Sequence, residues 1–389
     1  MADFVNGNRL TLLKSGAEYF PALLAELDAA RHEIRLETYI FEADATGRAV
    51  AAALVRAAQR GVDTCLMVDG FGSKDLDRGL VREMEQGGVR FLVYRRNISP
   101  WTLRRTRLRR LHRKIAVIDA RVAFIGGINV VDDMTPPDPD LPRFDYAVRV
   151  EGPLLARIHP DVKRLWSRMS AIRFVGAQPP AASAIRPAAE ILGSQRAAYV
   201  IRDNLRHRRA IEEAYLAAIG RARSEILISN AYFFPGRSFR RALMAAAGRG
   251  VRVVLLLQGR VEYVLQHYAT RSLYGTLLDA GVEIHEYHKS FLHAKVAVID
   301  RHWATVGSSN IDPFSLLLAR EGNVMVEDAQ FAGELQESLL AAMAEGAEQV
   351  KRERWRDQPW TTRVLTRACY EAARFITGVF AYGRAEEFT

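Results

Sequence analysis

The nonapeptide LHRKIAVID, Leu111 to Asp119, returns as LHAKVAVID, Leu292 to Asp300, in the far half of a 389-residue chain. An internal repeat constrains a fold more than local propensity does, because it implies one structural unit built twice. The flanking segments repeat in the same order. RHEIRLETYIF precedes the first copy and RSEILISNAYFF the second. AAALVRAAQRGVDTCLMVDG pairs with RALMAAAGRGVRVVLLLQG, and EMEQGGVRFLVY with TLLDAGVEIHEY. The chain is also longer than a typical single domain, so a duplicated domain is the natural reading.

Each half alternates β-rich runs, such as Ile34 to Phe41 and Thr64 to Asp69, with Ala-rich helical windows such as Ala49 to Gln59. Strands joined by helical crossovers predict an α/β unit with a mixed, largely parallel sheet flanked by helices. KIAVIDARVAFIGG differs: two apolar strands join tightly near Asp119 to Arg121, as a hairpin. KVAVIDRHWATVGSSN repeats it. The Pro/Ala-rich stretch Val175 to Glu190 reads as a linker. The expected division is residues 1–174, a linker 175–195, residues 196–350 and a basic tail 351–389. The first half is longer between aligned Gly88/Gly281 and aligned His112/His293. The extra residues fall in Arg95 to Arg110, which has no acidic residue and sets Trp101, Leu103 and Leu108 among arginines.

Strand side chains alternate faces, so His112 and Lys114 point the same way. The hairpin returns Asn129 beside them. His293, Lys295 and Asn310 repeat the arrangement, with Ser308 in GSSN where the first copy has Gly127 in GGIN. Two lysines and two amides suit the non-bridging oxygens of a phosphodiester. One neutral imidazole attacks phosphorus and the other, protonated, donates to the leaving alkoxide. Lysines supply the positive charge, so neither metal nor cofactor is expected. Asp119 lies on the order of 17 Å along the strand from Lys114, which suits a turn better than a phosphate contact. An imidazole nucleophile needs its second nitrogen oriented. Glu321 and Asp145 are the candidates, with a surface ion pair as the alternative for each.

The spacing His-x-Lys-x4-Asp-x6-Gly-(Gly/Ser)-x-Asn, present twice, resembles the phospholipase D superfamily. It is similar in particular to bacterial cardiolipin synthases of the B type. LETYIF, DGFGS, RLHRKIAVIDARVAFIGGIN, DYAVRVEGP, NAYFFPG and HWATVGSSNIDPFSL carry that likeness. The resemblance implies two pseudo-two-fold lobes and transfer of a phosphatidyl group between phosphatidylglycerols through a phosphohistidine, releasing glycerol. It places His112, Lys114, Asp119, His293, Lys295 and Asp300 at catalytic positions, with His112 as nucleophile and His293 as acid. Asn129, Ser308, Asn310, Asp145 and Glu321 fall in supporting positions. Gly127 departs from the Ser common in the superfamily, and Ala319 from the Asn usual in the synthases.

The formal charge of +10 favours a polyanionic partner, either an anionic membrane or nucleic acid. No ladder of aromatics suits stacked bases, which disfavours nucleic acid. In the insertion, Trp101, Arg104, Arg105 and Arg107 suit a lipid interface. In Thr361 to Tyr382, apolar residues recur at helical spacing, which fits either a helix packed on the body or one lying in an interface. His285, His288 and His302 sit at no metal-ligand spacing. DGFGS, Asp69 to Ser73, reads as a strand-to-helix turn. Two distant cysteines, Cys65 and Cys369, suit a reducing compartment. Neither a secretory signal nor a spanning apolar run is visible. The expectation is a peripheral enzyme on the cytoplasmic face of a bacterial inner membrane. The alternatives are a phosphodiesterase that hydrolyses lipid or nucleic acid, and a non-catalytic basic membrane binder.

Overall fold

The computed structural model describes residues 2–95, 109–133, 141–173, 185–187, 190–203, 207–312, 319–357 and 359–381. The first half runs β1 (Val5–Lys14), α1 (Ser15–Ala29), β2 (Glu33–Thr38), α2 (Ala45–Gln59), β3 (Asp63–Asp69), α3 (Arg78–Gln86), β4 (Arg90–Tyr94), β5 (Arg110–Leu111), β6 (Lys114–Ile118), β7 (Val122–Gly126), β8 (Tyr146–Glu151) and α4 (Leu155–Arg173). The second half runs β9 (Gln195–Arg202), α5 (Ala210–Arg221), β10 (Glu225–Asn230), α6 (Arg237–Gly248), β11 (Arg252–Gln258), α7 (Val264–Arg271), α8 (Tyr274–Asp279), β12 (Glu283–Tyr287), β13 (Lys295–Ile299), β14 (Trp303–Gly307), β15 (Ala319–Glu327) and α9 (Ala329–Gly346). After it come β16 (Ala347–Gln349), α10 (Arg352–Arg356) and α11 (Trp360–Ala381).

The strands form one continuous sheet in the order β16-β12-β11-β10-β13-β14-β15-β9-β1-β8-β7-β6-β2-β3-β4, with β5 on β15. Read outward from the β1–β9 joint, the two sides carry equivalent strands apart from β16 at one edge, so a pseudo-two-fold passes through that joint. Among the described residues, the parallel ladders within each half are those of β2-β3-β4 and β10-β11-β12, and Phe41–Val130 and Phe233–Ile311 add one isolated parallel bridge each. The central strands are antiparallel. The sheet is therefore mixed, but less parallel than the crossover pattern predicts, because the hairpins and their return strands occupy its middle.

KIAVI and KVAVI are apolar without alternation because both of their faces are covered. Ala116 and Ile118 face a core with α1 and α2, whereas Ile115 and Val117 face a central core with α4 and α9. That central core draws from both halves, including Val148, Ile158, Val296, Val306 and Leu335. Each hairpin turns on two left-handed residues, Asp119 and Ala120 in the first and Asp300 and Arg301 in the second. Positive φ at both centres matches the twist of paired strands, and Asp tolerates that region better than most residues.

Candidate active site

The segment before each histidine is hydrogen-bonded to a strand of the other lobe. β5 pairs in parallel with β15, and the His112 N–H donates to the Arg320 carbonyl at 3.0 Å. In the second lobe Leu292 bridges Phe144 in parallel, and the His293 N–H donates to the Phe144 carbonyl at 2.8 Å. The next residue along each partner strand is a carboxylate. The two carboxylates are thus exchanged between lobes. His112 Nδ1 meets Glu321 Oε1 at 2.9 Å, and His293 Nδ1 meets Asp145 Oδ2 at 2.6 Å. Both carboxylates are buried, so neither is a surface ion pair.

The lysines are buried beside them. Lys114 Nζ donates to the His112 carbonyl at 2.8 Å, and Lys295 Nζ donates to the His293 carbonyl. Burial and the nearby Lys295 charge bring Lys114 down to about 7. Burial lowers Lys295 too, against the pull of Asp145 and Glu321. The same burial lowers His112, opposed by Glu321, and together with Lys295 and Lys114 takes His293 well below the usual imidazole range. The exchanged carboxylates, with Lys295 Nζ 4.0 Å from Asp145 Oδ2, bring the two His-Lys sets to one site.

The two carboxylates differ. Burial works against Glu321 ionisation, yet His112, Lys114 and the Ser308 hydroxyl hold its pKa below the ordinary value. Ser308 Oγ donates to Glu321 Oε2 at 2.5 Å. Burial pushes Asp145 up to about 6, against Lys295 and the Tyr146 N–H. No hydroxyl stands at the matching position of the first lobe. A Cβ on Gly127 would lie 2.3 Å from Asp145 Oδ1, so the carboxylate fills the space that a serine would take.

Asp119 and Asp300 are engaged at the hairpin turns. Asp119 accepts from the backbone N–H groups of Arg31, His32 and Glu33, which lead into β2. Asp300 does the same for Arg223, Ser224 and Glu225 before β10. They bind the far end of the hairpin to its neighbouring strand, because the strand carries them away from the histidines. Asn129 is buried and its Oδ1 accepts from the Ile40 N–H at 3.1 Å. Asn310 is buried, and among the described residues its Oδ1 has no partner. Ala319 is buried in β15, on the same side as Glu321 by strand alternation. Trp101, Arg104, Arg105 and Arg107 lie outside the described residues.

Other residues join the site without having been singled out for it. Tyr39 meets the His112 ring edge-on, centroids 4.8 Å apart, and lies under Lys114 Nζ. Asp69 accepts from the Phe71 and Gly72 amides of its turn and from the Leu111 N–H at 2.7 Å, tying the DGFGS turn to the His112 segment. The Arg143 charge reaches His293, Asp145 and Lys295. Arg113, between His112 and Lys114, points to the opposite face, where it is fully buried with Glu37 and Asp161. The second copy has Ala294 there, and that Arg/Ala difference between the nonapeptides was the available signal.

A sheet that repeats across a two-fold, with a histidine from each half held at the joint by the other half's carboxylate, defines the phospholipase D-like class. Within it, the family model described as "Cardiolipin synthase, PLD-like domain" matches residues 23–141 and 215–342, and the chain belongs to that family. It is 41% identical over 346 residues to cardiolipin synthase B of Escherichia coli K12, covering 88% of this chain and 82% of that one. It is 30% identical to cardiolipin synthase A of Proteus mirabilis, covering 94% of this chain and 75% of that one. In fold it is similar to the crystal structure of phosphatidylserine synthase of Haemophilus influenzae Rd KW20. That match has a TM-score of 0.69 at 13% identity and covers 95% of each chain.

Proposed function

We propose that the protein is a cardiolipin synthase that transfers a phosphatidyl group from one phosphatidylglycerol to the glycerol hydroxyl of another. The observation that carries this reading is the convergence of two histidine–carboxylate pairs and two buried lysines on one site. The family membership and the similarity to cardiolipin synthase B support the substrate class.

The inequality of the two pairs supports one assignment of roles. Ionised Glu321 accepts the Nδ1–H of His112, which leaves the Nε2 lone pair free to attack phosphorus. The Asp145–His293 pair retains a proton, so Nε2–H of His293 donates to the departing glycerol oxygen while the proton on Asp145 moves to Nδ1. The P–O bond to glycerol breaks as the P–N bond to His112 forms. The hydroxyl of the second phosphatidylglycerol then returns a proton to the pair and displaces His112, giving cardiolipin. Lys114, Lys295 and the Asn129 amide hold the non-bridging oxygens, where charge grows in the transition state.

No helix among the described residues is long and apolar enough to cross a membrane. In the proposed setting the enzyme works peripherally at the cytoplasmic face of the inner membrane. The test is mass spectrometry of lipids after incubation with phosphatidylglycerol liposomes, beside His112→Ala. Cardiolipin and glycerol formed by the intact chain alone are expected. Phosphatidic acid in place of cardiolipin would make water the acceptor and the protein a hydrolase. Absence of lipid turnover, with cleavage of single-stranded DNA, would replace the lipid reading.

A further inference from the structure

Among the described side chains of α11, Val364, Leu365 and Phe375 lie on the side away from the body. The residues it turns inward are Thr362, Thr366, Cys369, Tyr370 and Ala373, four or three apart along one stripe. Thr366 and Ala373 are buried. On the opposite stripe Val364 is 58% exposed and Phe375 73%, with Leu365 beside them and Trp360 at the helix start 75% exposed. A surface helix normally turns such a stripe into the core. Here it is left to solvent, and Arg363, Arg367 and Arg374 run along one flank of it.

A second feature lies at that flank. An open cavity of about 530 Å³ separates α11 from α6 and the α7–α8 turn. Arg240, Arg363 and Arg367 contribute to its lining, with Trp355, Thr366 and Tyr370. Among the described residues no carboxylate lines it, although Arg367 also holds Glu371 along the helix at 2.9 Å. Three guanidinium groups around a space of this size fit a phosphate ester.

The position is also informative. α11 packs along α7. The segment leading into α7 exposes Val261, Tyr263 and Val264. Next to them Tyr232 donates to Glu262 Oε2 at 2.5 Å, and the Glu262 charge reaches the buried Lys295. The helix on which α11 packs is thus preceded by further exposed apolar side chains near the candidate active site.

We propose that α11 docks the enzyme on an anionic lipid monolayer, its apolar stripe among the acyl chains and a lipid phosphate in the arginine-lined cavity at its flank. The charge of the flank selects the occupant: an arginine row beside an apolar stripe complements phosphate headgroups above acyl chains. The proposal rests on the synthase reading only for the direction in which the site opens.

The experiment is sedimentation of the full chain with vesicles of phosphatidylglycerol and phosphatidylcholine, and with phosphatidylcholine alone. Val364→Ser/Leu365→Ser/Phe375→Ser should weaken binding to the mixed vesicles by ~10-fold or more, because the apolar contact is lost. Arg240→Gln/Arg363→Gln/Arg367→Gln should weaken it by ~10-fold or more and remove the preference for phosphatidylglycerol. Both variants should keep the melting temperature of the parent and its turnover of short-chain monodisperse phosphatidylglycerol. Unchanged vesicle binding in either variant would overturn the proposal. So would a dimer that the apolar variant dissociates while vesicle binding persists, which would make the stripe a contact between two copies. Binding is read without turnover. A chain that docks through α11 yet forms no cardiolipin would remove the synthase reading and leave this one standing.

Discussion

Gly127 offers a direct test of the exchanged carboxylates. Substitution by serine would seem conservative, since Ser308 occupies the matching place in the second lobe. The structure predicts the opposite. The added Cβ would sit 2.3 and 2.4 Å from the two Asp145 oxygens and 2.7 Å from its Cγ, about 1 Å inside the roughly 3.5 Å at which non-bonded heavy atoms sit best. Asp145 has little room to retreat, because its Oδ1 accepts from the Tyr146 N–H at 2.8 Å and its Oδ2 meets His293 at 2.6 Å. Overpacking of this kind costs about 1–3 kcal/mol of stability. The larger effect falls on catalysis, because a displaced carboxylate no longer orients His293 or shares its proton. General acid–base assistance is typically worth about 10²–10⁴-fold, so Gly127→Ser should lower kcat by ~10²-fold or more, about 2.7 kcal/mol of transition-state stabilisation. KM should change much less, since the lysines stay in place. The assay is cardiolipin formation from phosphatidylglycerol, normalised to folded protein by thermal melt. The reciprocal Ser308→Ala removes one hydroxyl donor to a charged group without a clash, and should cost about 1.5–3 kcal/mol of that interaction. Parental kcat in a folded Gly127→Ser enzyme would refute the reasoning, since His293 would then not need Asp145 where the structure holds it.

The catalytic scheme requires a proton on the Asp145–His293 pair and on Lys114. With Asp145 near 6 and Lys114 near 7, kcat/KM should fall as pH rises through this range, and Asp145→Asn should abolish the contribution near 6. A profile flat from pH 6 to 8 would count against the assignment. Arg113→Met leaves Glu37 and Asp161 buried without their cation, so a loss of about 3–5 kcal/mol is expected in denaturant unfolding. An unmoved midpoint would show that the cluster is not holding the site's back face. Asp300→Ala strips the acceptor from three backbone amides and the Ser224 hydroxyl. It should lower stability by about 1–3 kcal/mol while folded enzyme keeps its specific activity, and a collapse of kcat in folded protein would return Asp300 to the chemistry.

The hairpins and histidine–lysine sets were legible because duplication writes them twice, and a strand repeated with its spacing carries its own geometry. What the sequence hid depended on tertiary contact. Glu321 and Asp145 stood out as candidates, but their exchange did not, since the partners lie 209 and 148 residues apart. It follows from the short parallel contacts of Arg110–Leu111 with β15 and of Leu292 with Phe144, which no periodicity announces. The sheet is mixed as expected, and it is less parallel than expected for a related reason. Helical crossovers mark the three outer strands of each lobe, while β1, β7 and β8, and likewise β9, β14 and β15, enter antiparallel through returns that local pattern does not fix. In α11 the helical period was visible, yet period alone does not say which stripe meets the body, and the polar one does.

Duplication supplies two equivalent imidazoles, whereas displacement at phosphorus needs two different ones. The differences that make them unequal are small and local. Glu321 is one methylene longer than Asp145 and has a hydroxyl beside it, so it stays ionised in a buried place and fixes the Nδ1–H tautomer of His112. Asp145 is shorter, lacks that donor because Gly127 has yielded its space, and sits near the pH at which it shares a proton with His293. Restoring symmetry in either direction should therefore harm the reaction. A serine at 127 displaces the acid's carboxylate, and an alanine at 308 makes the nucleophile's carboxylate resemble the acid's. The fold's two-fold brings the groups together, and in the proposed scheme the departure from it at two positions is what lets one histidine attack and the other protonate.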